Sequence, residues 1–109
     1  MNGVHLRLYT YENRKLHGKL AYEWLLEQAR AMGIHGGSAF RAIAGFGRQG
    51  ELHEMHFLEL AGEQPVLVEF IAEEAQARLL LALVEKEQFP LFYAWLPAEF
   101  GQIGGSAAA

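Results

Sequence analysis

Between Val4 and Tyr11 the chain alternates. Val4, Leu6 and Leu8 are aliphatic, while His5, Arg7, Tyr9 and Tyr11 are aromatic or charged. Successive side chains on a strand point to opposite faces, so a period of two predicts a strand with one apolar face and one of different character. Val66–Ile71 repeats the theme: it is rich in branched residues, with Glu69 set between Leu67 and Ile71. Strands of this kind need a second layer over the apolar face.

The rest of the pattern supplies that layer. From Leu16 to Met32 the residues Leu20, Ala21, Trp24, Leu25, Ala29 and Met32 recur at helical spacing, with one polar gap at Gln28, which predicts a helix over 16–32. Gly33 stands where a left-handed cap belongs, and His35-Gly36-Gly37 turns the chain. Glu73 and Glu74 open a second helix at its positive end; its stripe is Ala77, Leu80, Leu81 and Val84, and Pro90 follows its end near Gln88. Ser38–Ala44 and Leu91–Leu96 read as further strands, the last closed by Pro97. Glu54–Leu60 reads as a short strand or the return arm of a long hairpin. The order strand–helix–strand–strand–helix–strand predicts an α+β, ferredoxin-like βαββαβ fold, an antiparallel sheet with two helices on one face.

Two helices leave the other face bare. Arg7, Glu69 and Arg41 are expected to form a charged row across it, flanked by Tyr9 and aliphatic residues. A solvated surface is the plain reading. A subunit interface fits the Tyr, Arg and aliphatic composition better.

At 109 residues the chain is expected to be one domain, 1–103, with a flexible tail over 104–109, "GGSAAA". The net charge is −4 and the longest basic run is Arg14-Lys15, too little for a nucleic-acid footprint. There is no cysteine, and no stretch nears the ~18 apolar residues of a membrane span; a cytoplasmic location without membrane insertion is expected. Ser38 and Ser106 lack a nucleophile motif and the acidic pair Glu73-Glu74 is explained by the helix dipole, so no enzyme is expected. His53 and His56 among Glu51 and Glu54 raise metal binding, but residues three apart on an extended segment point to opposite faces. His5 and His35 are lone histidines.

The least regular stretch is Arg41–Gly50, "RAIAGFGRQG", where a strand runs into three glycines around an arginine and a glutamine. Glycines take positive φ cheaply, so Gly45 and Gly47 could turn N–H groups into an anion-binding nest, with Arg48 offering a bidentate fork. A glycine-rich hairpin tip with a solvated arginine is the bland alternative.

Several short motifs in order carry a resemblance: His17-Gly18-Lys19, Tyr22-Glu23, Ala29-Arg30 and Gly45-Phe46-Gly47. From about Gly3 to Leu96 the chain resembles the PII-like family known as domain of unknown function 190. At Gly45–Gln49, Gly-Phe-Gly-Arg-Gln, it is similar to the wider PII signalling family. That resemblance implies a homotrimeric regulatory protein. It would bind ATP, ADP or AMP, with or without Mg2+, in clefts between subunits, and signal to a target protein through a T-loop-like segment, 45–64. It implies a place for Gln49 near the phosphates and metal; with the nest and fork above, Gly45, Phe46, Gly47, Arg48 and Gln49 are the expected ligand-binding residues, and Lys19 and His53 are further candidates for reaching an anion in the cleft. His17-Gly18-Lys19 could equally cap the first helix. The family's second glycine-rich segment, ending in Gly-Asp-Gly-Lys before the last strand, is missing; "EKEQFPLF" stands there. Gly50 replaces the lysine expected after Gln49, and no tyrosine lies between Gly50 and Pro65 to accept a uridylyl group. The alternative is a ligand-independent interaction module regulating a membrane transporter or channel.

Overall fold

In a computed structural model, residues 1–46 and 64–105 are described. The elements run β1 (Asn2–Tyr11), β2 (Lys15–Leu16), β3 (Lys19–Leu20), α1 (Ala21–Ala31), β4 (Gly37–Arg41), β5 (Pro65–Ala72), α2 (Glu74–Lys86) and β6 (Phe92–Glu99). Four strands form one sheet in the order β4-β5-β1-β6, and every neighbouring pair is antiparallel. This is the expected ferredoxin-like arrangement, with β1 and β5 in the centre.

The alternation seen in the sequence decides the layers. Val4, Leu6 and Leu8 of β1 are buried together with Val66, Val68, Phe70 and Ala72 of β5. Trp24, Leu25 and Ala29 of α1 and Ala77, Leu80 and Val84 of α2 complete the same cluster, so both helices lie on one face. At roughly 25 cal/mol per Å² of apolar surface removed from water, this cluster is the main source of stability.

Local chemistry fixes the helix ends. The Gly33 N–H donates to the Arg30 carbonyl at 3.1 Å and the Ile34 N–H to the Ala29 carbonyl at 3.0 Å. With Gly33 at φ 92, these make a Schellman ending. Glu73 and Gln76 form a reciprocal capping box at the start of α2. The Gln76 side chain also donates to the Gly33 carbonyl at 3.0 Å, joining the end of α1 to the start of α2.

Three expectations are corrected. The first helix begins at Ala21, not Leu16. Ahead of it, β2 and β3 pair Lys15 with Leu20 and Leu16 with Lys19. His17 and Gly18 form the two-residue turn between them, both at positive φ (54 and 76). The motif therefore makes a hairpin, not a helix cap; the N-cap residue is Leu20, without a side-chain cap. The last strand passes through Pro97 to Glu99. Among the described strands it is an edge strand, with β1 as its one neighbour, where a missing N–H is tolerated. The second strand ends at Arg41, and the possible strand at 54–60 lies outside the described residues.

Candidate functional site

Two regions gather the polar and aromatic residues: the bare face of the sheet, and the end where the chain leaves β4 and re-enters β5.

Directly opposed residues of an antiparallel pair share a face. The register sets Arg7 opposite Glu69 and Ala94, and Ser38 opposite Glu69. The bare face therefore carries His5, Arg7 and Tyr9, then Leu67, Glu69 and Ile71, with Phe92, Ala94 and Leu96 on one side and Ser38 and Phe40 on the other. Tyr9, Phe40, Ile71, Phe92 and Leu96 are all exposed, Phe40 by half. Such a contiguous apolar patch is unusual for open surface. At its centre the His5 Nε2–H donates to Glu69 Oε2 at 2.7 Å. The Arg7 guanidinium lies over the Tyr9 ring, 5.7 Å from its centroid, and the Tyr9 and Phe92 rings meet at 5.5 Å. Arg7 Nε is buried without a hydrogen-bond partner among the described residues.

Arg41 is not part of this row. Its Cα faces Val66, which is buried, so Arg41 stands on the helix side of the sheet. Of the expected row Arg7 and Glu69 remain; the register continues it to Ser38, and His5 bonds to Glu69 from the next same-face position along β1. Arg41 turns its fork onto Glu12 instead: Nε donates to Oε1 at 3.0 Å, and Nη2 donates to Oε2. The hydrogen bonds from Arg41 hold the Glu12 carboxyl below the usual carboxylate range, and the same bonds push the Arg41 guanidinium up.

That ion pair sits at the end where the chain leaves β4 and re-enters β5. The Ala42 N–H donates to the Pro65 carbonyl and the Glu12 N–H to the Gln64 carbonyl, both at 2.8 Å. The departing and returning arms are thus held side by side against the end of β1. Beyond Arg41, Gly45 and the exposed Phe46 are the last residues described before the segment. Gly47, Arg48, Gln49 and His53 lie outside the described residues, as does His56. Lys19 is placed on β3, where its Nζ donates to Glu27 Oε1 of α1 at 2.6 Å.

Three features of the molecule were not anticipated. His17, at the hairpin turn, bonds through Nε2 to Glu87 Oε1 at the end of α2 (2.7 Å) and approaches the Trp24 ring at 6.1 Å. Arg14 lies over the rings of Phe89 (5.2 Å) and Tyr11 (6.0 Å). At the other end of the sheet an open cavity of about 730 Å³ is bounded by His35, Ser38, Glu69, Ile71, Gln76 and Gln102. Of these, only the turn at His17-Gly18 left a signal in the sequence, through its glycine. Among the described residues no group of three His, Asp or Glu is placed to hold a metal ion, and no helix is long and apolar enough to cross a membrane.

Comparison with known proteins places this geometry. The DUF190 family model, described as an uncharacterized ACR, matches residues 3–88. The chain belongs to the DUF190 family. Among similar relatives, a UPF0166 protein from Aquifex aeolicus is 40% identical over 76 residues, covering 70% of this chain and 72% of that protein. One from Methanocaldococcus jannaschii is 31% identical over 81 residues, covering 73% and 74%. Among solved structures, a PII-like signalling protein from Thermus thermophilus superposes with a TM-score of 0.61 at 16% identity, over 90% of this chain and 88% of that one. CPII, a nitrogen regulatory PII-like protein from Thiomonas intermedia solved with ADP, AMP and bicarbonate, gives 0.62 at 14% identity, over 94% and 96%. This DUF190 chain thus has the fold of the PII-like signalling proteins.

Proposed function

We propose that the protein is a PII-like regulatory protein that assembles as a homotrimer, binds an adenine nucleotide in clefts between subunits, and signals to a target protein through the segment 45–64. The observation that carries the ligand class is the shared fold with CPII, whose structure holds ADP and AMP. The assembly is supported by the bare face, where a hydrogen-bonded His5–Glu69 pair and the Arg7 guanidinium are ringed by exposed Tyr9, Ile71, Phe92 and Leu96. Arg7, Tyr9 and Glu69 are the interface residues of this reading.

The phosphates would meet the backbone of Gly45, Phe46 and Gly47, the Arg48 fork and the Gln49 amide, with Lys19 and His53 in reach of the same cleft. Glycine N–H groups and a guanidinium are the donors an anion requires. The described residues offer no carboxylate cluster for Mg2+, and none is assigned. As a regulatory protein it catalyses no reaction in this reading.

Calorimetric titration with ATP, ADP and AMP tests the ligand, and sedimentation tests the assembly. Heat from at least one nucleotide and a species of three times 12.2 kDa are expected. One observation favours the second reading, a ligand-independent module acting on a membrane transporter or channel: Arg41 and Lys19 are already matched by Glu12 and Glu27. A trimer silent toward all three nucleotides selects it.

A further inference from the structure

The charges at the end of the sheet where β1 closes and β5 begins do not pair evenly. Arg41 is held by Glu12, Lys19 by Glu27, and His17 by Glu87. Arg14 differs. Its backbone is fixed on both sides, the N–H donating to the Tyr11 carbonyl at 3.2 Å and the carbonyl accepting from the Ala21 N–H at 2.7 Å. The residue is half-buried, and its guanidinium lies over Phe89 and Tyr11. Among the described residues no carboxylate or carbonyl takes a hydrogen bond from it. A guanidinium packed on rings loses little further freedom when it binds, and its fork suits two oxygens of one phosphate. Leaving such donors half-desolvated without an acceptor costs free energy. Phe89, one of the two rings, comes from the stretch Glu85–Phe92 that lacks the expected glycine-rich, lysine-bearing segment.

We infer that Arg14 is an anion-binding residue: its ring-packed guanidinium, without a carboxylate partner among the described residues, takes a phosphate or diphosphate group at the end of the sheet where the chain leaves β4 and re-enters β5. As a contact to a nucleotide the inference rests on the function proposed above; as an oxyanion site it does not. Tyr11 and Phe89 act as positioning residues, and two other cations of the same end, Arg41 and Lys19, are unavailable without breaking an ion pair.

The test uses the full chain with two probes, ADP and inorganic pyrophosphate, titrated calorimetrically into wild type, Arg14→Ala, Arg14→Lys and Lys15→Ala. Lys15 is exposed, so Lys15→Ala removes the same formal charge next door. Losing a charge-assisted fork is expected to weaken binding about 10- to 100-fold in Arg14→Ala. Arg14→Lys should recover part of that loss, and Lys15→Ala should change binding by less than about 2-fold, because an exposed charge in water is worth little. Far-UV circular dichroism confirms that each variant is folded. Wild-type affinity in folded Arg14→Ala overturns the inference and leaves the nucleotide reading standing. Arg14-dependent binding of pyrophosphate without ADP binding upholds the inference and removes the adenine nucleotide. Silence of the wild type toward both probes overturns both.

Discussion

The two faces of β1 are separated by a single residue and have opposite fates. Leu6 is fully buried against the helices, and its neighbours His5 and Arg7 stand on a face that no described element of this chain covers. The first face is closed by the protomer's own helices, so its cost of exposure is met on folding. The second carries rings, aliphatic residues and a polar centre, a composition that suits contact with another protein better than contact with water. The difference separates what holds the protomer together from what would hold copies of it together.

Breaking the first face is expected to have the largest effect. Leu6→Ala leaves a cavity between the sheet and the helices, and should destabilise the protomer by about 2–5 kcal/mol, read as a lower urea midpoint. A loss below about 1 kcal/mol would mean that the face is not the close-packed core described here. The contrasting variant is Ile71→Glu, on the bare face. It should leave the far-UV spectrum intact, yet move sedimentation at micromolar concentration from the proposed trimer to the 12.2 kDa species. A charge there has water in the monomer and none in an interface. An unchanged trimer would place the subunit contact elsewhere.

Thr10 sharpens the contrast by a smaller amount. It continues the buried parity of Val4, Leu6 and Leu8, at 4% exposure, and its hydroxyl has no hydrogen-bond partner among the described residues. Thr10→Val keeps the shape and removes an unsatisfied polar atom, so a gain of about 1 kcal/mol is expected. A loss on denaturation would show that the hydroxyl has a partner in solution.

The period-two signal makes both faces of β1 legible from the amino-acid order alone, together with the helix stripes and the Gly33 ending. What it does not supply is register. Arg41 lies on the helix side because β4 pairs with β5 so that Arg41 meets Val66. Parity within one strand says nothing about its offset against the next. Helical spacing overextends α1 because Leu16 and Leu20 both fit it, while the turn at His17 and Gly18 is a two-residue event that periodicity averages away. Pro97 ends a central strand but not an edge strand, and strand order is a tertiary fact. The guanidinium of Arg14 over Phe89 joins residues far apart in the chain, and no local pattern announces it. Of the residues expected at the ligand, Gly45, Phe46 and Lys19 are described, and the others lie in the segment beyond.

The smallest effect tests where the two-face rule ends. Arg41 occupies the helix-side parity at the sheet's edge, yet it is exposed and is satisfied by Glu12 rather than by packing. Because the Arg41 hydrogen bonds lower the Glu12 carboxyl in the folded state, Glu12 binds its proton less readily there than in the unfolded chain. Its stabilising contribution is therefore complete above the ordinary glutamate range, about 4.3. It is lost as pH falls through that range to the lower folded value. Arg41, pushed up from an already high value, stays charged throughout and adds no pH dependence. Denaturation of wild type and Glu12→Gln should differ modestly at neutral pH and converge in acid, with the neutral-pH difference shrinking in high salt. A difference that persists unchanged below pH ~3 would mean that Glu12 acts at the loop base by shape and neutral hydrogen bonding, and that its charge is not what ties β4 to the end of β1.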